Sequence, residues 1–180
     1  MNDPRTQPQY QVRFGFGGAQ ALELSTGADV VVWADALADG STPAPELPGT
    51  FSILSAGTGA AKAVAGWVIA QQELKGDRFT VAVIAAGNAH GGFTVDDLLA
   101  AGAIVDALAD AGIDYISPEA ASAVAAFTGL QPAHNHLLSA STAGQLLIQD
   151  AGRGALDEAI VSNAAASFAI VQHSRQLVRE

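Results

Sequence analysis

The chain has 180 residues, with eight Lys or Arg against 18 Asp or Glu, and no Cys. A net charge of −10 excludes the clustered cations that a nucleic-acid or anionic-membrane surface requires, and the lack of cysteine excludes disulfides, thiolate metal sites and a cysteine nucleophile. A composition rich in Ala, Val, Leu and Gly, 49% hydrophobic but only 6% aromatic, fits helices packed closely on a sheet, and the length fits one domain.

In chain order, residues 1–9 are polar and read as a loose tail, leaving 10–180 as a single domain. The start, MNDPRTQPQY, lacks the apolar run of a secretory signal, and no apolar run reaches membrane-spanning length, Lys62 interrupting one candidate and Asp106 another. The expectation is therefore a cytoplasmic protein with no membrane partner. Residues 10–16 alternate as a strand, Gly17 and Gly18 punctuate it, and 19–24 suit a short helix. Residues 29–34 (DVVVWA) form a second buried strand that ends at Asp35. The run 39–49, with its three prolines, is the clearest loop. A third strand at 51–55 leads into Ala56-Gly57-Thr58-Gly59 and a helix over 60–74.

That small-residue loop at a helix start is a candidate anion site: free backbone N–H groups and the helix dipole meet whatever binds there, and Lys62 adds a positive charge. Neither GxxxxGK[ST] nor GxGxxG is present, and a tight strand-to-helix turn needs small residues just as much.

The central stretch is 79–112, a buried strand over 79–86, a loop with Gly87, Gly91 and Gly92, and a helix entered at Thr94 and ending near 109–111. Thr94 is a natural N-cap, and Asp97 three residues on completes a capping-box-like pair. Asp96 and Asp97 favour the first turn of any helix, yet they also stand where a strand ends and a helix begins, the place at which open α/β sheets keep their ligands. His90, in the same loop, is either a general acid or phosphate binder or an exposed loop residue. Downstream, 113–116 suits a short strand, 117–129 a helix capped by Ser117 and Pro118, 133–150 and 154–166 two more helices, and 167–172 a last strand before a polar end. His134 and His136, two apart, give no metal pattern, and neither HExxH nor GxSxG occurs.

Several of these runs resemble the 2-phosphosulfolactate phosphatase family. FTVDDLLAAGAIVDAL matches that family's acidic pair followed by two leucines and Ala-Gly-Ala-Ile, IAAG at 84–87 matches the strand before it, and SPEAASAVAAF, STAGQLL and GALDEAI keep its C-terminal order. YQVRFGFG and DVVVWADAL occupy the places of its first two strands. The resemblance implies a single-domain, three-layer α/β/α fold with a mostly parallel sheet. It also implies a Mg²⁺-dependent phosphatase acting on a small phosphorylated molecule. By that resemblance Asp35, Asp96 and Asp97 are metal ligands, Asp35 and Asp97 the catalytic pair, and Gly57, Thr58, Gly59 and Lys62 the phosphate seat.

Departures fall at the chemistry. Ala38 stands where the family has an arginine, Ala56 replaces an asparagine, Gly92 replaces another arginine and Ala85 a cysteine, and the segment between the second and third strands is short by a helix and a strand. Each lost arginine removes a bidentate phosphate donor. The alternative is thus a homologue that has lost catalysis and serves as a small-ligand-binding or assembly domain. A homo-oligomer is compatible with either.

Overall fold

The structure, a computed structural model, describes residues 3–38, 40 and 42–173. The expected polar end beyond 173, and Asp39 and Ser41 of the proline-rich loop, lie outside the described residues. Five strands form one sheet: β1 (Val12–Phe16), β2 (Val30–Ala34), β3 (Ser52–Ala56), β4 (Val81–Ala85) and β5 (Ala169–Gln172), in the order β1-β4-β2-β3-β5. The first four are parallel, and β5 runs antiparallel to β3 at the edge. The three strands expected at the centre are therefore neighbours, as expected for a single mostly parallel α/β sheet.

Strand periodicity splits the core in two. Val30, Val32 and Ala34 of β2 and Val81, Val83 and Ala85 of β4 face one side. That side is covered by helices α2 (Ala61–Lys75), α3 (Val95–Asp110), α4 (Pro118–Leu130), α5 (His134–Ala140), α6 (Thr142–Ala151) and α7 (Arg153–Asn163). Val31, Trp33, Ala82 and Ile84 face the other side. Among the described residues, α1 (Gly17–Leu24) and the connection between β2 and β3 cover that side, with Leu47 and Phe51 packed down. The missing helix and strand of the shortened segment are thus replaced by loop. Among the described residues no helix is long and apolar enough to cross a membrane.

Four expectations are corrected. The N-terminal segment is not loose over residues 3–7: Asp3 caps a 3₁₀ turn at Pro4–Thr6, and buried Gln7 pairs its side-chain amide with both backbone groups of Phe14 at 2.8 and 2.9 Å. Residues 113–116 make one bridge, Val12 to Ile116, and no strand, because Ser117 and Pro118 begin α4 at once. The helix expected over 133–150 is two, α5 and α6. Ser141 is extended, at φ −62° and ψ 158°, and its hydroxyl accepts the Gly144 N–H at 3.0 Å. Thr94 is the N-cap residue of α3 in backbone conformation, but its hydroxyl makes no cap bond and instead donates to Asp97 Oδ2 at 2.8 Å.

Candidate functional site

Because β1, β2, β3 and β4 are parallel and aligned in register, Phe16, Ala34, Ala56 and Ala85 finish level, and the residues after them share one edge of the sheet. At that edge lies a cavity of about 240 Å³ lined by Asp35 after β2, Gly87 and Asn88 after β4, Asp96 and Asp97 of the first turn of α3, and one face of α6. Carboxylates remote in sequence therefore meet at the carboxyl ends of the strands, where such sheets hold ligands.

Asp97 is the structural centre of this edge. It is 3% exposed, and its carboxylate accepts three hydrogen bonds: Oδ1 from Ala36 N–H at 2.9 Å, Oδ2 from Gly87 N–H at 2.8 Å and from the Thr94 hydroxyl at 2.8 Å. The side chain therefore ties the turn after β2 to the turn after β4. That explains the missing capping box: the Asp97 oxygens are taken by two neighbouring strand ends. Burial raises its pKa from the ordinary 3.8 to about 7. The nearby Asp96 charge and, to a lesser degree, Asp35 push the same way, while the bonds from Ala36 and Thr94 oppose them.

The loop above it is organised by Asn88, whose Oδ1 accepts from His90 N–H at 2.9 Å and Gly92 N–H at 3.0 Å, with Gly91 N–H donating to Asn88 O at 2.7 Å. Gly87 has φ +73°, and a Cβ there would sit 2.4 Å from Gly92 O, so the residue must be glycine to let Asp97 reach its amide. His90 is exposed on this loop and does not line the cavity.

The loop after β3 goes elsewhere. Gly57 lines a neighbouring cleft that shares Asp35 with the main cavity. Thr58, Gly59 and Lys62 line a groove between α2 and α3 that also carries Asp106 and Asp110. The smallness of this loop has its own cause: a Cβ on Gly59 would lie 2.2 Å from Ala164 O, and the Thr58 N–H is already held by Asn163 Oδ1 at 2.7 Å. The structure thus brings Asp35, Asp96 and Asp97 together and does not bring Thr58, Gly59 or Lys62 to them.

The two arginines that could compensate for the lost ones do not reach the cavity. Arg13, 5% exposed, turns toward α1, its Nη1 donating to Leu24 O at 3.2 Å and Thr26 O at 2.8 Å. Arg153 is paired with Asp157 at 2.9 Å on exposed surface. Among the described residues, no Lys, Arg or His lines the cavity.

Sequence reasoning missed the remaining lining. Thr142, Leu146 and Asp150 of α6 are spaced by four and form one helix face. Phe93, 63% exposed, and Leu37 add apolar wall. The signal was present in the capping serine of Ser141-Thr142-Ala143-Gly144 and in the four-residue spacing after it. Both were obscured by reading one helix through 133–150.

Asp35, Asp96 and Asp97 all line the cavity, and Asp97 accepts three hydrogen bonds within the protein. Among the described residues, no group of three or more His, Cys, Asp or Glu side chains is arranged to hold a metal ion. Such a donor set does not fit zinc, which takes three or four protein ligands. Two carboxylates do fit Mg²⁺, which keeps several waters and completes its shell with substrate phosphate oxygens.

A family model described as 2-phosphosulpholactate phosphatase matches residues 50–171, about two thirds of the chain. The match takes in Asp96, Asp97 and the α6 face and begins after Asp35 and the first two strands. No curated protein matches the chain.

Proposed function

The chain belongs to the 2-phosphosulpholactate phosphatase family, and on that premise we propose that it is a Mg²⁺-dependent phosphatase of a small phosphate monoester. The observation that carries this reading is the meeting of Asp35 and Asp96 with the starts of both α3 and α6 in one cavity at the carboxyl edge of the sheet. Asp35 and Asp96 would hold Mg²⁺, which when bound supplies charge neutralisation and in-line alignment for phosphoryl transfer.

The remaining work belongs to the chain itself. Asp97 fixes the strand-end backbone through Ala36 and Gly87, and so sets where its neighbours Asp35 and Asp96 project. The first-turn amides of α3 and α6, with the Thr142 hydroxyl, orient phosphate oxygens in place of the absent arginines. Leu37, Phe93, Ala143 and Leu146 shield the ester from water. Asp35, which lines the cavity at the end of β2, is the group offered as base or nucleophile. The phosphate seat once expected at Gly57, Thr58, Gly59 and Lys62 is replaced in this reading by the two helix starts.

A second reading is favoured by one observation, that no described cation lines the cavity: a homologue that binds a small ligand without turning it over. A panel of small phosphate esters, assayed for phosphate release with Mg²⁺ and with EDTA, separates the two. Metal-dependent turnover that is lost in Asp35→Asn supports the enzyme. Ligand-induced thermal stabilisation with no turnover supports the binding domain.

A further inference from the structure

The cavity at the carboxyl edge has an apolar lining that phosphate chemistry does not require. Phe93 and Leu146 both line it and both remain more than half exposed, at 63% and 51%. One exposed apolar side chain is ordinary, but here two large ones, from the loop after β4 and from α6, open onto the same small concavity. Phe93 is also held in place. Its ring packs on Phe16 at 5.5 Å between centroids and 47° between planes, and Phe16 packs edge-on against Phe14 at 5.3 Å. Phe14 is itself buried, at 6% exposed. The glycine loop that leads to Phe93 crosses the start of α1 so closely that a Cβ on Gly17 would lie 2.7 Å from Gly91 Cα. A row of three rings therefore runs from the core to the cavity, and its last member is fixed yet uncovered.

Resting on the phosphatase reading above, we propose that the alcohol half of the ester is uncharged and carries an apolar ring, which packs on Phe93 and covers Leu146. Size supports a small ring. A dry cavity of about 150 Å³ takes a benzene, so about 240 Å³ holds a ring beside a phosphate, and a ligand that fills it meets both side chains. A docked helix, about 10 Å across, does not fit that space. Covering the two side chains removes from water apolar surface that the free protein leaves exposed. A strongly hydrated alcohol gains nothing from them. A second anion is opposed outright, because Asp35, Asp96, Asp97 and Asp150 line the same cavity and no Lys, Arg or His is among its described lining.

The test uses two matched panels on the full chain in Mg²⁺. Ethyl phosphates bearing a terminal phenyl, hydroxyl, carboxylate or sulfonate group are assayed for phosphate release; all are primary alkyl esters, so their leaving groups are similar. The corresponding phosphonates, with CH₂ in place of the ester oxygen, do not hydrolyse and are titrated calorimetrically. The phenyl member should exceed the hydroxyl member by about ten-fold in kcat/KM and in affinity, the scale of covering about 50–60 Å² of apolar surface. It should exceed the two anionic members by more. Phe93→Ala should collapse the phenyl-to-hydroxyl ratio through KM, and Phe93→Tyr should keep it, with thermal melts confirming that both fold. Leu74→Ala, an exposed apolar side chain of α2 away from the cavity, should leave it unchanged. Equal or tighter binding of the hydroxyl or sulfonate member would overturn the ring assignment while leaving the phosphatase reading intact. So would a Phe93→Ala chain with an unchanged ratio but a lower mass in sedimentation, which would make Phe93 a contact between copies. Selective binding of the phenyl phosphonate without hydrolysis of any ester would uphold the assignment and contradict catalysis. Failure of every phosphonate to bind would contradict both.

Discussion

At the scale of residues, Asp97 carries the sharpest consequence. Its folded pKa of about 7 lies above the ordinary 3.8, so between those values the folded chain binds more protons than the unfolded one. The resulting stabilisation is complete below pH 3.8 and is lost as pH rises through about 7. In EDTA, the melting temperature should therefore fall between pH 5 and pH 8, by an amount set by about 1.4 kcal/mol per pKa unit. Asp97→Asn should remove most of that slope, since Asn does not titrate, and should lower stability at pH 5 because its Nδ2 cannot accept the Ala36 or Gly87 N–H. A melting temperature independent of pH across this range in the wild-type chain contradicts the account. Thr94→Ala removes one of the donors to Asp97, and a loss of about 1 kcal/mol is expected in denaturant titration, comparable to the loss of an N-cap.

At the scale of elements, close approaches explain more of the sequence than phosphate chemistry does. Gly102 lies in α3 where a Cβ would fall 2.2 Å from Ala123 O of α4. Gly102→Ala should force the two helices apart and cost about 1–3 kcal/mol, as overpacking does, read as a lowered denaturation midpoint. Ser141→Ala should cost about 1 kcal/mol, or about 2–4 °C in melting temperature for a chain of this size. It should also loosen the α6 face that lines the cavity, weakening ligand binding as well as stability.

The same scale shows what could be read from the sequence. The strands announced themselves because β2 and β4 are continuous apolar, β-branched runs buried on both faces. Their neighbourhood followed from the alternation of strand and helix. Thr94 was legible as a helix start, but the destination of its hydroxyl was not, because Asp97 is held by amides from residues 36 and 87, contacts that no local pattern encodes. The Gly57-Thr58-Gly59 loop shows the converse. Its composition suits both an anion cradle and a close backbone crossing, and only the position of α7 distinguishes them. The α6 face of Thr142, Leu146 and Asp150 was invisible for a third reason, since the other walls of the cavity it lines come from the turn after β2, the loop after β4 and the start of α3.

At the scale of the whole molecule, the net charge of −10 sets which ligands approach. It predicts no nucleic-acid binding at physiological salt, so a gel shift with submicromolar affinity would contradict it. The same acidity is concentrated at the cavity, where Asp35, Asp96 and Asp97 meet and where the Asp96 and Asp35 charges raise the Asp97 pKa. A cation there relieves that repulsion, and everything proposed about the site depends on it. The most direct test is a calorimetric titration of Mg²⁺ into the metal-free full chain, paired with melting curves. The account predicts saturable binding at one site with a raised melting temperature, abolished by Asp35→Asn and by Asp96→Asn and weakened by Asp97→Asn. A chain whose heat signal and melting temperature are both indifferent to millimolar Mg²⁺ would contradict it.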